Sequence, residues 1–231
     1  HMSFVIGEDN QAFLKKRHAA MSSHHCYHGQ EYSEDHAKIA EWTPLIMEGR
    51  DPHQKVAATR TITGTDVNYG ALTSSLLAYL QKQEDFAVRF SQSVVDLERR
   101  ADGGWRLFIK DEITGARRIV NAKYVFLGAG GGALPLLQKS GIPESKGYAG
   151  FPVSGLWLRC GNPEVVDRHS AKVYGLAAKG SPPMSVPHLD TRIIDDKRWL
   201  LFGPYAGFST RFLKNGSLFD LPKSVRLDNI L

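Results

Sequence analysis

In the stretch Pro187-His188-Leu189-Asp190-Thr191-Arg192, three reactive side chains stand two residues apart. Side chains along an extended strand alternate faces, so a strand over 188–194 puts the His188 imidazole, Asp190 carboxylate and Arg192 guanidinium on one face. An imidazole that titrates near neutrality is a usual proton acceptor. A guanidinium fork matches a carboxylate. Oxidation of a 2-hydroxy acid needs both functions: the hydroxyl proton is removed as hydride leaves C2, and the carboxylate is held. Asp190 can orient the imidazole or simply pair with Arg192. A solvated, charged strand with one satisfied histidine fits the same residues.

A second chemical signal is Leu127-Gly128-Ala129-Gly130-Gly131-Gly132-Ala133, which reproduces G-x-G-x-x-G/A after an apolar run and before helix-forming residues. Glycines there let backbone N–H groups approach a pyrophosphate at a helix start. The acidic strand end required about 20 residues on is missing, because Glu144–Phe151 (ESKGYAGF) reads as a turn-rich loop. Two readings stay open: a tight strand-to-helix turn packed on a neighbour, or a secondary contact to a dinucleotide whose main phosphate loop lies elsewhere. His18, His24, His25, Cys26, His28 and His36 concentrate possible metal ligands, but their spacing matches no zinc pattern and no metal is expected.

The elements that must carry these groups follow from periodicity. Residues 11–41 read as helical, Val56–Thr63 as a strand, and Leu72, Leu76, Leu77 and Leu80 as the apolar face of a helix. Thr65, Asp66 and Asn68 offer cap oxygens for that helix. Phe86–Phe90, Val94–Arg99, Trp105–Lys110 and Arg117–Val120 read as an antiparallel meander. Ala122–Leu127 reads as a strand buried on both faces, and Ala133–Lys139 as a helix stopped by Gly141. Val153–Cys160, Ala171–Ala177, Thr191–Ile194 and Trp199–Gly203 are further strand candidates, broken by Pro182-Pro183, Pro187, Asp195-Asp196 and Gly203-Pro204. The fold class expected is α/β with α+β character.

The 231 residues are 42% hydrophobic and 23% charged, a composition that excludes disorder and collagen-like structure. No run of apolar residues is long enough to span a membrane, and no basic-plus-apolar leader opens the chain. A cytosolic protein, or one resting on a membrane surface, is expected. Two cysteines, Cys26 and Cys160, make no disulfide framework. Residues 1–100 carry 11 basic and 13 acidic side chains, and residues 101–231 carry 18 and 11. The basic second part suits small carboxylates, phosphates or an anionic membrane, whereas no nucleic-acid-binding pattern is present. His1-Met2 reads as a tag remnant, and 221–231 stops without a closing cap, so an excised piece is expected.

Helix, meander, apolar strand and glycine turn in this order resemble the later part of an FAD domain in the D-amino-acid-oxidase-like flavoprotein group. MEGRDP (47–52), GTDVNYGALT (64–73), VFLGAGGGALPLLQKSGIPE (125–144), FPVSG (151–155), AKVYG (171–175), PPMSVPHLDTR (182–192) and LLFGPYAGFSTRFLK (200–214) are similar to the bacterial malate:quinone oxidoreductase family. The resemblance spans nearly the whole chain from Ser3 and implies roughly the middle half of such an enzyme, without its principal FAD-binding glycine fingerprint. It implies oxidation of malate to oxaloacetate with FAD as cofactor and quinone as electron acceptor. It further implies peripheral contact with the cytoplasmic face of the bacterial inner membrane. Residues 3–63 and 151–231 would belong to a sheet-rich substrate domain and 64–150 to the FAD-binding domain. His188 becomes the base, with Arg192 as carboxylate clamp and Asp190 and Tyr205 as further substrate contacts. Gly128, Ala129, Gly130, Gly131 and Gly132 become FAD contacts. Arg50, Arg60 and Arg211 are weaker candidates for a second carboxylate contact. The fragment alone is expected to be inactive; a non-catalytic binding domain, an FAD-dependent dehydrogenase of another 2-hydroxy acid and an NAD-binding module are the alternatives.

Overall fold

A computed structural model describes residues 1–177, 180–181 and 186–230. In chain order the elements are β1 (Met2–Ile6), α1 (Glu8–Met21), β2 (Glu31–Ser33), α2 (His36–Trp42), α3 (Pro44–Met47), β3 (Val56–Arg60) and α4 (Tyr69–Leu80). Next come β4 (Gln92–Arg99), β5 (Trp105–Asp111), β6 (Arg117–Ala122) and α5 (Ala133–Ser140). The last are β7 (Val153–Cys160), α6 (Pro163–Val166), β8 (Lys172–Tyr174), β9 (His188–Ile194), β10 (Lys197–Phe208), α7 (Asp220–Ser224) and α8 (Leu227–Ile230). The fold is mixed α/β, with a seven-stranded mixed sheet and a separate three-stranded antiparallel one.

The chain divides into two units. Residues 1–72 and 155–207 form the first, and residues 73–154 and 208–231 the second. Residues 151–231 are therefore divided between the two units, 208–231 grouping with 73–154.

The first unit holds the large sheet, ordered β2-β3-β1-β8-β9-β10-β7. β1 runs antiparallel to β3 and parallel to β8, while β9 runs antiparallel to both β8 and β10. Alternation along β1 sends Met2 and Phe4 to one face, where they meet Ile39, Met47, Val56, Ala58 and Val173. Val5 goes to the other face and meets Leu14 and Ala57. Met2, read as part of a tag, is thus a core residue with 1% exposure, and the His1 backbone carbonyl accepts from Thr61 N–H. The stretch expected to be helical over 11–41 is interrupted by a turn of 3-10 helix at His25–Tyr27 and by β2.

In the second unit β4, β5 and β6 form the expected meander, but with three strands, since 86–90 is not strand. α5 ends at Gly141 in the left-handed conformation (φ 66°), as the glycine stop signal predicts. The strand expected over Ala122–Leu127 does not form: β6 ends at Ala122, and Tyr124 and Phe126 are 78% and 82% exposed. An apolar run becomes a buried strand only where a neighbour supplies hydrogen-bond partners, and no described strand pairs with 123–127. α4 forms where expected, yet none of its residues is buried. The Pro182-Pro183 break lies outside the described residues.

Candidate active site

β9 carries the predicted His-x-Asp-x-Arg set between two partner strands. Tyr174 and Gly203 are the Cα partners of His188, and Lys172 and Leu201 those of Asp190. Directly opposed residues share a face, so His188, Asp190, Arg192, Lys172 and Tyr174 all project from one side of the sheet.

His188 Nδ1 lies 3.1 Å from the Gly203 carbonyl oxygen. A carbonyl only accepts, so Nδ1 carries the proton and donates it, and the neutral ring keeps its lone pair on Nε2. Burial pushes the His188 pKa below the ordinary histidine value; the Gly203 and Val186 carbonyls and Asp190 act against that, and the Lys172 ammonium reinforces it. The ring is therefore neutral at neutral pH and suited to accept a proton. Tyr174 meets it edge-on at 3.9 Å between ring centroids, and Trp157 flanks it at 5.6 Å. Gly203 makes this packing possible. Its φ is 151°, and a Cβ there would stand 2.9 Å from the Leu156 carbonyl and 3.2 Å from the Trp157 ring.

Asp190 does not orient His188. It is buried, and its Oδ2 accepts from Arg192 Nε at 2.8 Å and faces Lys172 Nζ at 3.3 Å. Arg192 also donates from Nη1 to Asp66 Oδ1 at 2.7 Å. Burial opposes the charge on Arg192, but the two carboxylates outweigh it and raise its pKa. Burial likewise works against the Asp66 charge, and the Ile193 N–H and Arg192 more than offset it, so the Asp66 carboxyl titrates below its ordinary range. Of the three cap candidates Asn68 serves, its Oδ1 accepting from Ala71 N–H at 3.0 Å, while Asp66 is diverted to Arg192. Asp190, Arg192, Asp66, Trp157 and Tyr69 line a cleft of about 420 Å³.

Tyr205 stands apart from this group. Its ring meets Phe202 at 6.0 Å, and Phe202 opposes Leu189, on the face away from His188. Arg50 is spent on the Ile46 carbonyl and Gln54, and Arg60 lies 4.0 Å from Glu31 and over the Trp42 ring. Arg211 belongs to the second unit. The histidine cluster is likewise dispersed: His18 contacts the Gln30 carbonyl, His36 the Gln54 carbonyl, and His25 the Cys26 sulfur.

Lys172, Tyr174, Trp157 and His169 escaped the sequence reading as site residues. Lys172-x-Tyr174 has the same two-residue period as His188-x-Asp190, and pairing those two stretches would have brought them together. His169 is 1% exposed and underlies β9. Its Nε2 reaches the Leu189 carbonyl and its Nδ1 the Thr43 hydroxyl, both at 3.4 Å, and its own carbonyl accepts from Thr191 Oγ1 and Arg198. Burial pushes its pKa down as well, the Leu189 and Ala171 carbonyls only partly offsetting it.

The glycine loop lies in the second unit. Gly130–Gly132 make a turn of 3-10 helix leading into α5, which has no side-chain cap at its start. A Cβ on Gly131 would overlap the Phe212 carbonyl, so close packing on 212–213 accounts for that glycine. Gly128, Ala129 and Gly130 are exposed. An open glycine backbone before an uncapped helix fits a phosphate contact.

The first unit thus places a neutral imidazole beside two cations on one face of the sheet. The family model described as malate:quinone oxidoreductase matches residues 1–231, and the chain belongs to that family. A protein of Granulibacter bethesdensis named probable malate:quinone oxidoreductase is 63% identical over 230 residues, covering all of this chain and 46% of that relative. A likewise named protein of Bradyrhizobium diazoefficiens is 61% identical, and the probable malate:quinone oxidoreductase 2 of Pseudomonas aeruginosa 60%; in each, 45% of the relative is covered. The chain spans about half the length of the curated relatives it matches, and the match includes His1 and Met2.

Proposed function

We propose that this chain supplies the proton acceptor and carboxylate contacts of an enzyme that oxidises malate to oxaloacetate and reduces quinone. The observation that carries this reading is the His188 ring, held by Gly203, kept neutral by burial and left with its lone pair on Nε2. Nε2 takes the malate hydroxyl proton as the C2–H bond breaks with its electron pair, and the C2–O bond becomes the oxaloacetate carbonyl. FAD, when bound, would supply the hydride acceptor and the route for the electrons to quinone. Gly128–Gly132 contribute a secondary contact to its phosphates, and the remaining walls of the flavin site come from outside the chain, which leaves this half inactive alone. Arg192, held by Asp190 through Nε and by Asp66 through Nη1, keeps Nη2 to donate to a substrate carboxylate; Tyr205 stands further off.

Quinones reside in bilayers, and no helix among the described residues is long and apolar enough to cross one. The proposed location is therefore peripheral, at the cytoplasmic face of the bacterial inner membrane, with the basic second part of the chain favouring an anionic surface. The test is His188→Asn in the full-length enzyme, because asparagine can still donate to the Gly203 carbonyl but cannot accept the proton. Malate-dependent quinone reduction should fall by about 10²- to 10⁴-fold with FAD content unchanged. An unchanged rate would remove His188 from the chemistry.

A further inference from the structure

A dicarboxylate substrate needs more than one cationic contact, and Arg192 is already shared between two aspartates. Lys172 is a second cation on the His188 face. It opposes Asp190 in register and stands two residues from Tyr174, the cross-strand partner of His188. Its Nζ lies 3.3 Å from Asp190 Oδ2, the same oxygen that Arg192 Nε occupies at 2.8 Å, and 5.2 Å from the Tyr174 ring centroid. The side chain remains 28% exposed, and no second acceptor bonds it among the described residues. An ammonium has three donors, so Lys172 shares one carboxylate oxygen and keeps donors for a ligand arriving on this face.

From this geometry we infer that Lys172 is a substrate-binding residue that holds one carboxylate of the substrate beside the His188 base. The inference rests on the malate reading above. Asp190 keeps Arg192 when Lys172 is replaced, so removing the ammonium leaves the buried carboxylate paired. Lys172 also acts on His188 itself. The groups facing that imidazole are Lys172 and Tyr174 from β8, Asp190 from its own strand and Trp157 from β7, with Glu48 and Arg50 lining a neighbouring cleft that His188 also borders. Of the cations, Lys172 is the one that depresses the pKa of His188.

The experiment uses the full-length enzyme with malate and a short-chain quinone, comparing wild type, Lys172→Met and Lys172→Arg. Loss of a charge-assisted contact made in ground and transition states alike should raise KM for malate about 10- to 100-fold in Lys172→Met, with kcat within about threefold of wild type. Lys172→Arg should recover most of that affinity because it restores the cation. The acid limb of the kcat/KM profile should also move to higher pH in Lys172→Met, because the ammonium that lowers the His188 pKa is gone, while the rise in KM and its recovery in Lys172→Arg separate a substrate contact from a merely structural lysine. Unchanged KM in Lys172→Met overturns the inference while leaving the malate reading intact, as does equal impairment of Lys172→Met and Lys172→Arg. Absence of malate turnover by the wild type overturns both.

Discussion

Replacing Asp190 with asparagine separates two roles that look alike in the sequence. As the orienter of His188, the carboxylate would matter to turnover and little to stability. In the structure it is instead the buried anion that holds two cations, Arg192 at 2.8 Å and Lys172 at 3.3 Å, with its own side chain only 3% exposed. Breaking a buried ion pair by removing one partner costs about 3–5 kcal/mol. That range is an upper bound here. Lys172 and Arg192 are 28% and 32% exposed, so water solvates part of each freed charge, and Arg192 keeps Asp66 at 2.7 Å. About 2–3 kcal/mol is the working figure. For a chain of this size, at roughly 2–4 °C per kcal/mol, the midpoint of thermal unfolding should fall by about 4–12 °C. Circular dichroism melts of wild type, Asp190→Asn and Asp66→Asn measure it. Asp66→Asn should cost about 1 kcal/mol or less, because its partner pair is about one-third exposed. If Asp190→Asn melts with the wild type, or if the two variants lose equal stability, the ion-pair reasoning fails.

Two further outcomes follow from the same geometry. His169 and His188 both titrate below the ordinary histidine value when folded, so between the depressed and ordinary values the unfolded chain binds more protons. Their contribution to stability is complete above about pH 6.5 and is lost as pH falls through the depressed values. Melts taken from about pH 7.5 down to about pH 5 should show the midpoint falling, less steeply in His169→Gln; a midpoint that rises on acidification contradicts the assignment. In the glycine loop, Gly131→Ala drives a methyl into the Phe212 carbonyl and should cost about 1–3 kcal/mol. Gly128→Ala meets only the nearby Phe126 ring and should cost far less, so equal denaturant midpoints for the two variants would refute the packing role of Gly131.

How far the sequence reached depends on whether an interaction is local. The meander, the helix stop at Gly141 and the alternation that aligns His188, Asp190 and Arg192 are set by neighbours a few residues apart, and all are present. Asn68 and Asp66 show the boundary. Both read as helix caps, but only Asn68 acts locally, because Arg192 is 126 residues from Asp66 and nothing near Asp66 announces it. The strand expected over Ala122–Leu127 fails for the same reason: apolarity makes a segment ready to be buried, and only a partner strand buries it.

The site itself depends on register more than on composition. Lys172 and Tyr174 join His188 and Asp190 because β8 and β9 pair as Lys172 with Asp190 and Tyr174 with His188. A one-residue slip would send Val173 to the reactive face and withdraw both the ammonium and the phenol. The register resists that slip because Val173 is buried in the opposite core with Met2, Phe4 and Ile39, and because His169 bonds the Leu189 carbonyl and the Thr191 hydroxyl. Apolar packing on one face of the sheet thus fixes which polar groups meet on the other, and the chemistry of His188 is supported by residues that never touch a substrate.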